Sequence, residues 1–243
     1  MTAIYLIRHG QANFGGDNYD QLSDKGIEQA TLLGQYLQKK MSSPTTVTSG
    51  NMFRHKQTAK NSLNAFSAIT GKGAITGEED IIPNEDVRWN EYDHRNILGV
   101  YNAELATPSS TRQYLAKQSN SLEHFKTLFI NAINQWTLAD NNQDYTESFE
   151  TFSQRVIAAL KDVTEQNQAG NIIIYTSGGP ISIIICYLLG IPLSRFIDVN
   201  LSLVNGGVTK VVTRGKERKL VLSTLNEHDI FEQHADKKLI TYT

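Results

Sequence analysis

Ile4-Tyr5-Leu6-Ile7-Arg8-His9-Gly10 is the stretch from which the fold can be read. Its apolar run, Ile4 to Ile7, shows no alternation of apolar and polar residues. That is the pattern of a strand buried on both faces of a largely parallel sheet. The run ends in Arg8-His9-Gly10, and open α/β sheets bind ligands beyond the carboxyl ends of their strands. A histidine in that place can use one ring nitrogen as a nucleophile when a backbone carbonyl holds the other. Arg8 adds a fork of donors suited to phosphate oxygens, and Gly10 lets the backbone turn sharply against a ligand. An Arg-His pair at a strand end is also common without any function, so the tripeptide alone leaves both readings open.

Outward from that strand, Ser23 is placed to cap a helix. Ile27, Ala30, Leu33, Gly34 and Leu37 recur in it at helical spacing and form its expected packing face. Thr45 to Ser49 is short and β-rich and reads as a second strand, followed by a helix over Arg54 to Phe66. After a turn-rich stretch with Gly71, Gly73 and Gly77, Ile81-Ile82 is expected as a third strand ending at Pro83. Residues 92–147 are polar, with two or three weak helices including one near Leu122 to Trp136, and read as an insertion or lid over the strand ends. Phe149 to Val163 is an amphipathic helix, and Ile172 to Tyr175 is a second fully buried strand. Pro180 is expected at the first position of a helix that Gly190 ends. Val208 to Val212 and Lys219 to Leu225 form an antiparallel pair around Gly215. This alternation, free of repeats and low-complexity segments, predicts one α/β domain over residues 1–243.

Composition narrows the function. With 40% hydrophobic residues the chain can bury a substantial core, and its formal net charge of -2 gives no whole-chain field for nucleic acid or an anionic membrane. An anion site must therefore be built locally. Cys186, the single cysteine, lies in the apolar run Ile181 to Leu189 and reads as a buried, reduced, inert thiol. No targeting pattern precedes the first strand, and no apolar run approaches the ~20 residues that span a bilayer, so a cytoplasmic protein is expected. No metal-ligand spacing occurs, so neither metal nor cofactor is expected.

Ser49-Gly50-Asn51-Met52-Phe53-Arg54-His55-Lys56-Gln57-Thr58-Ala59 again follows a strand and sets Arg54 at a helix start, where free N–H groups and the helix dipole favour anions. Arg8-His9-Gly10-Gln11, Leu22 to Ala30, and Arg54-His55-Lys56-Gln57-Thr58-Ala59 together resemble the histidine phosphatase (phosphoglycerate mutase-like) superfamily. The resemblance continues through Trp89-Asn90-Glu91-Tyr92, Ser177-Gly178-Gly179-Pro180 and Leu225-Asn226. It implies a three-layer α/β/α sandwich with a mostly parallel central sheet. It implies that His9 becomes phosphorylated, that Arg8 and Arg54 hold the phosphoryl oxygens, and that Glu91 protonates the leaving alcohol and later activates water. Glu85 and Asp93 are nearby alternatives for that carboxyl. Gln11 faces either the phosphate or its own loop.

The chain departs from the family at Ser177, where a second histidine normally precedes Gly-Gly. A serine donates one hydrogen bond but brings no charge, and losing one preorganised donor typically costs about 10²–10³ in rate. Three readings follow. The chain is a phosphomonoesterase with a weakened or differently completed pocket, which His55 or His94 would enter. It is a pseudo-phosphatase that binds a phosphorylated ligand without turnover. Or Ser177 is the nucleophile of a serine hydrolase, with Asp198 and His228 following in the required chain order. The first is favoured, because a binder has no need of His9 or Glu91. Gln11-Ala12-Asn13-Phe14-Gly15-Gly16 differs from the loop of the family's sugar-phosphate mutases, which argues against a mutase. A small phosphorylated substrate is expected, with Arg95, Arg112 and Lys117 as anchors for a second anionic group. No feature specifies an oligomeric state.

Overall fold

The computed structural model of the chain describes residues 1–13, 20–70, 81–139, 143–234 and 237–242. The elements run β1 (Thr2–Arg8), α1 (Asp24–Lys40), β2 (Thr46–Ser49), α2 (Phe53–Thr70) and β3 (Asn84–Glu85). Then come α3 (His94–Tyr101), α4 (Pro108–Leu115), α5 (Ser121–Leu138), α6 (Phe149–Gln166), β4 (Gly170–Thr176), α7 (Gly178–Leu189) and α8 (Phe196–Ser202). The hairpin β5 (Val208–Arg214) and β6 (Lys219–Glu227) follows, with a short α9 (Asp229–Glu232). The strands form one sheet in the order β3-β2-β4-β1-β5-β6. β3, β2, β4 and β1 are parallel to one another, and β5 alone runs against the rest.

Burial on both faces explains the unbroken apolar strands. In β1, Ile4 and Leu6 face a core shared with Ile172 and Ile174 of β4 and with α3, α5, α6, α7 and α8. Ala3, Tyr5 and Ile7 face the opposite core with Ile173, Tyr175 and the apolar faces of α1 and α2. Alternate residues of one strand thus anchor two helical layers, the three-layer sandwich that the family resemblance implied. Residues 92–147 are tied into the first core through Tyr92, Ile97, Leu98, Ala132, Ile133 and Trp136.

Several local expectations need correction. The third strand is Asn84–Glu85, one step after Pro83, and Ile81 and Ile82 are exposed. Proline has no N–H to give to a ladder, so pairing with β2 (Thr48 to Asn84, Ser49 to Glu85) begins only after it. Ser23 caps α1 by accepting from the Gly26 N–H, but Ile27 is exposed. The buried stripe runs through Gly26, Ala30, Leu33 and Leu37, one position off the expected start. Pro180 is the third residue of α7 rather than the first, still within the turn whose N–H groups have no intrahelical acceptor. Gly190 ends that helix in the left-handed conformation, at φ 66°. Phe14-Gly15-Gly16 and the glycines at 71, 73 and 77 lie outside the described residues. Cys186 is buried, and burial pushes its thiol up. No helix among the described residues is long and apolar enough to cross a membrane.

The helix pair α1–α2 carries one side of the site, and its closeness depends on Gly34. A Cβ at that position would lie 2.1 Å from the Ser62 carbonyl oxygen, a backbone atom that cannot swing aside. Gly34→Ala is expected to lower stability by about 1–3 kcal/mol through overpacking, read as a lower urea midpoint at unchanged m.

Candidate active site

β2, β4 and β1 are neighbours, and their carboxyl ends come together. The ladder extends one step past each end: the His9 N–H donates to the Thr176 carbonyl at 2.9 Å, and the Gly50 N–H to the Tyr175 carbonyl at 3.0 Å. His9 after β1, Ser177 after β4 and the start of α2 after β2 are thereby fixed side by side. Arg8, His9, Arg54, His55 and Ser177 are all buried there.

His9 has its ring oriented at both nitrogens. Nδ1 lies 2.7 Å from the Gly10 carbonyl oxygen, which can only accept, so Nδ1 carries the hydrogen. Nε2 then holds a lone pair, and it accepts from Arg54 Nε at 3.1 Å. Burial, followed by the charges of Arg54, neighbouring His55 and Arg8, holds this imidazole well below its ordinary value, so it is neutral near pH 7. Asn205 Nδ2 donates to the His9 carbonyl at 3.3 Å, and Thr58 Oγ1 accepts from the Gly10 N–H at 3.1 Å. These contacts fix the backbone on which the ring sits.

Arg54 stands at the second position of α2 and also pairs with Asp20, Nη1 to Oδ1 at 2.6 Å. The other Asp20 oxygen accepts from the Phe53 N–H at 2.8 Å, so this carboxylate sits at the helix start, where an anion is favoured. Thr58 donates to the Arg54 carbonyl at 2.7 Å, and Gln57 Oε1 accepts from the Leu22 N–H at 2.7 Å. Arg8 donates through Nη1 to the Leu203 carbonyl. A Cβ at Gly178 would come within 3.5 Å of Arg8 Nε, so the guanidinium runs close to the start of α7.

Glu91 reaches the same helix start. Its Oε2 accepts from the Gly179 N–H at 3.2 Å, and desolvation pushes its carboxyl above the usual range, against the pull of Arg54 and these backbone donors. A Cβ at Gly179 would lie 2.0 Å from Glu91 Oε1, so this glycine makes room for the carboxyl. Arg155 of α6 steadies the segment before it. It donates to the carbonyls of Arg88 and Asn90 at 2.7 and 3.0 Å while pairing with both oxygens of Glu147. Glu85 instead pairs with Lys56, and Asp93 caps α3.

Ser177 and His55 meet, with Oγ and Nε2 2.6 Å apart, and the His55 ring centroid is 5.7 Å from that of His9. His94, at the first position of α3, is pushed down to about 4 by burial and then by Arg54. The hydrolase alternative finds no triad. Asp198 pairs with Arg195 at the surface, and the His228 ring engages the Asn226 carbonyl and Glu232. Gln11 is bound within its loop: its N–H donates to Gln29 Oε1 at 2.7 Å, and its own Oε1 accepts from Ser23 Oγ at 3.0 Å. Arg95, Arg112 and Lys117 are exposed. No cluster of potential metal ligands occurs among the described residues. Sequence reasoning missed Asp20, Thr58 and Asn205; the Gln57-Thr58-Ala59 motif carried a signal for Thr58, while the other two are legible only in three dimensions.

The arrangement presents a neutral, oriented imidazole beside two guanidiniums and a carboxyl whose hold on its proton is raised by burial. Comparison with known proteins shows the family and the fold. The sequence profile of the histidine phosphatase superfamily (branch 1) matches residues 4–72 and 116–226. A Hydrogenobacter thermophilus protein, provisionally named phosphoserine phosphatase 2, is 25% identical over 228 residues, covering 91% of this chain and 94% of its own. Among solved structures, a phosphoglycerate mutase from Bacillus anthracis superposes with a TM-score of 0.62 at 18% identity, covering 96% of each chain. The α-ribazole phosphatase of Shigella flexneri gives 0.60 at 21% identity, covering 93% of this chain and 96% of its own. These structural likenesses show the shared fold.

Three imidazoles held below their ordinary value make stability depend on pH. Well above pH 6.5 both the folded and the unfolded forms are neutral at His9, His55 and His94, and these groups add little slope. Below it the unfolded chain takes up protons that the folded chain refuses. Stability then falls by up to about 1.4 kcal/mol per pH unit for each histidine, with Glu91 acting in the opposite sense. Urea unfolding should show a level profile between about pH 7 and 8 and a decline between about pH 6.5 and 5, above the range of ordinary carboxylates. A level profile across both ranges would show that the three rings titrate normally.

Proposed function

This chain belongs to the histidine phosphatase superfamily, and we propose that within it the chain is a phosphomonoesterase whose His9 carries the phosphoryl group. The observation that supports the reading most directly is the tautomer of His9, with Nδ1–H on the Gly10 carbonyl and the Nε2 lone pair toward Arg54. A bound phosphoryl group would take the place of Nε2 as partner of the Arg54 guanidinium. Arg8 and Arg54 bind its oxygens. His9 Nε2 attacks phosphorus as the bond to the ester oxygen breaks. Glu91 gives its proton to the departing alkoxide. The Glu91 carboxylate then takes a proton from water, whose oxygen attacks the phosphohistidine and releases inorganic phosphate and neutral His9.

The substrate is a small phosphorylated molecule, and no cofactor is needed for these steps. The residues from 92 to 147 shape its choice, with His94 within electrostatic reach of Arg54. The name of the Hydrogenobacter thermophilus relative makes phosphoserine the first compound to try. A cytoplasmic setting fits such a substrate.

Turnover of a chromogenic phosphomonoester tests the proposal. His9→Ala should abolish turnover, and Glu91→Gln should lower kcat by about 10²–10⁴ for a substrate with a poor leaving group. Wild-type activity should persist well below pH 6.5, because His9 stays neutral there, and should fall on the alkaline side as Glu91 loses its proton. Equal rates for wild type and His9→Ala, with vanadate still bound, would identify a phosphate binder instead.

A further inference from the structure

His55 and Ser177 are 122 residues apart in sequence, yet their polar atoms are 2.6 Å apart and both side chains are wholly buried. Ser177 follows Thr176, whose carbonyl holds the His9 N–H, so the pair sits against the phosphoryl acceptor. Gly50 lets the imidazole in: a Cβ there would lie 2.3 Å from His55 Nδ1. That nitrogen has no hydrogen-bond partner among the described residues.

The unpartnered nitrogen decides how the pair works. A neutral imidazole carries one hydrogen, on Nδ1 or on Nε2. On Nδ1 it would be a buried N–H with no acceptor, which folded proteins rarely tolerate. A buried acceptor lacking a donor is less rare. With the hydrogen on Nε2, His55 donates to Ser177 Oγ. The serine's own hydrogen is then free to point into the pocket. The opposite tautomer would turn the serine hydrogen toward His55 and leave oxygen lone pairs facing an anion.

We propose that His55 is a positioning residue, which by donating from Nε2 to Ser177 Oγ aims the Ser177 hydroxyl hydrogen at an oxygen of the bound phosphoryl group. The inference rests on the phosphomonoesterase reading for its role in turnover, but the relay itself is a property of phosphate binding. Two residues from different strand ends thereby supply the donor at the place where the family's second histidine would stand. His55 is held well below its ordinary value by burial and then by Arg54, so the relay delivers a dipole and no added charge.

A double-mutant cycle tests the relay. Ser177→Ala should lower kcat by about 10²–10³, and His55→Phe, which keeps a buried ring but donates nothing, by a similar order. The double variant should be no worse than Ser177→Ala. His55→Gln, whose amide nitrogen can donate from a place near Nε2, should recover most of the loss, and it keeps the test open if the phenylalanine variant does not fold. Additive losses would mean that His55 acts by packing alone and would overturn the proposal.

Two measurements stand apart from turnover. Nitrogen NMR of the imidazole rings at neutral pH should show His55 with Nε2 protonated and Nδ1 bare. Inorganic vanadate should bind less tightly to Ser177→Ala and to His55→Phe, with no further loss in the double variant. These two results would uphold the relay even in a chain without phosphatase activity. A protonated Nδ1, or vanadate affinity unchanged by His55→Phe, would overturn it even in an active phosphatase.

Discussion

The backbone bonds just beyond the strand ends hold the site together. Inside the sheet, the β1–β4–β2 ladder is satisfied by parallel pairing; past it, each chain must leave for a helix. The His9 N–H on the Thr176 carbonyl and the Gly50 N–H on the Tyr175 carbonyl prolong the pairing by one residue. That single step decides which side chains face one another. Without it His9, Ser177 and the approach to Arg54 would be three independent loop positions, each free to settle wherever its own turn allowed. Because buried N–H groups must find acceptors, the loops are held to the sheet's own register.

Glycines extend the same constraint to side chains. At Gly50 and Gly179 a Cβ would press on His55 and Glu91 respectively, while at Gly178 it would crowd Asn200 and meet Arg8 only at ordinary contact distance. At Gly50 and Gly179, side chains from elsewhere in the chain occupy the space a Cβ would need. The charges are then placed in a pocket where burial and the two arginines keep the histidines neutral, while burial raises the Glu91 carboxyl against the pull of Arg54 and Arg8. Exclusion of water acts on both groups in the same sense, favouring the neutral form of the His9 imidazole and of the Glu91 carboxyl. That exclusion also lowers stability in acid, since the same neutral rings resist protonation.

Much of this is local and could be read from the chain. Unbroken apolar runs gave β1 and β4, a serine cap gave the start of α1, and the placement of His9 and Arg54 after strands pointed to an anion site. What failed was also local, but turned on pairing. The stretch Ile81-Ile82 has strand composition, yet it sits before a proline and lacks a partner to pair with. Ile27 repeats at the right interval but one step off the stripe that meets the neighbouring layers. The contact between His55 and Ser177 belongs to neither class. It depends on helix α2 presenting one face of its first turn to the end of a strand more than a hundred residues later, and no local pattern encodes that.

Substituting a neutral pair for an imidazolium changes the balance of the pocket as well as its donor count. A third positive charge beside Arg8 and Arg54 would have to be buried among like charges, at a desolvation cost that a bound dianion must offset. A serine hydroxyl has no such cost and, once oriented, loses little entropy on meeting the ligand. It also gives less stabilisation to the charge that develops as the ester bond breaks, because a dipole acts more weakly than a cation at the same distance. Under the proposed reading such a pocket is therefore easier to fold, while the transition state would depend more heavily on the two guanidiniums. Arg54 is already shared between His9 and Asp20, so under the proposed reading a phosphoryl group would have to take over one of those bonds.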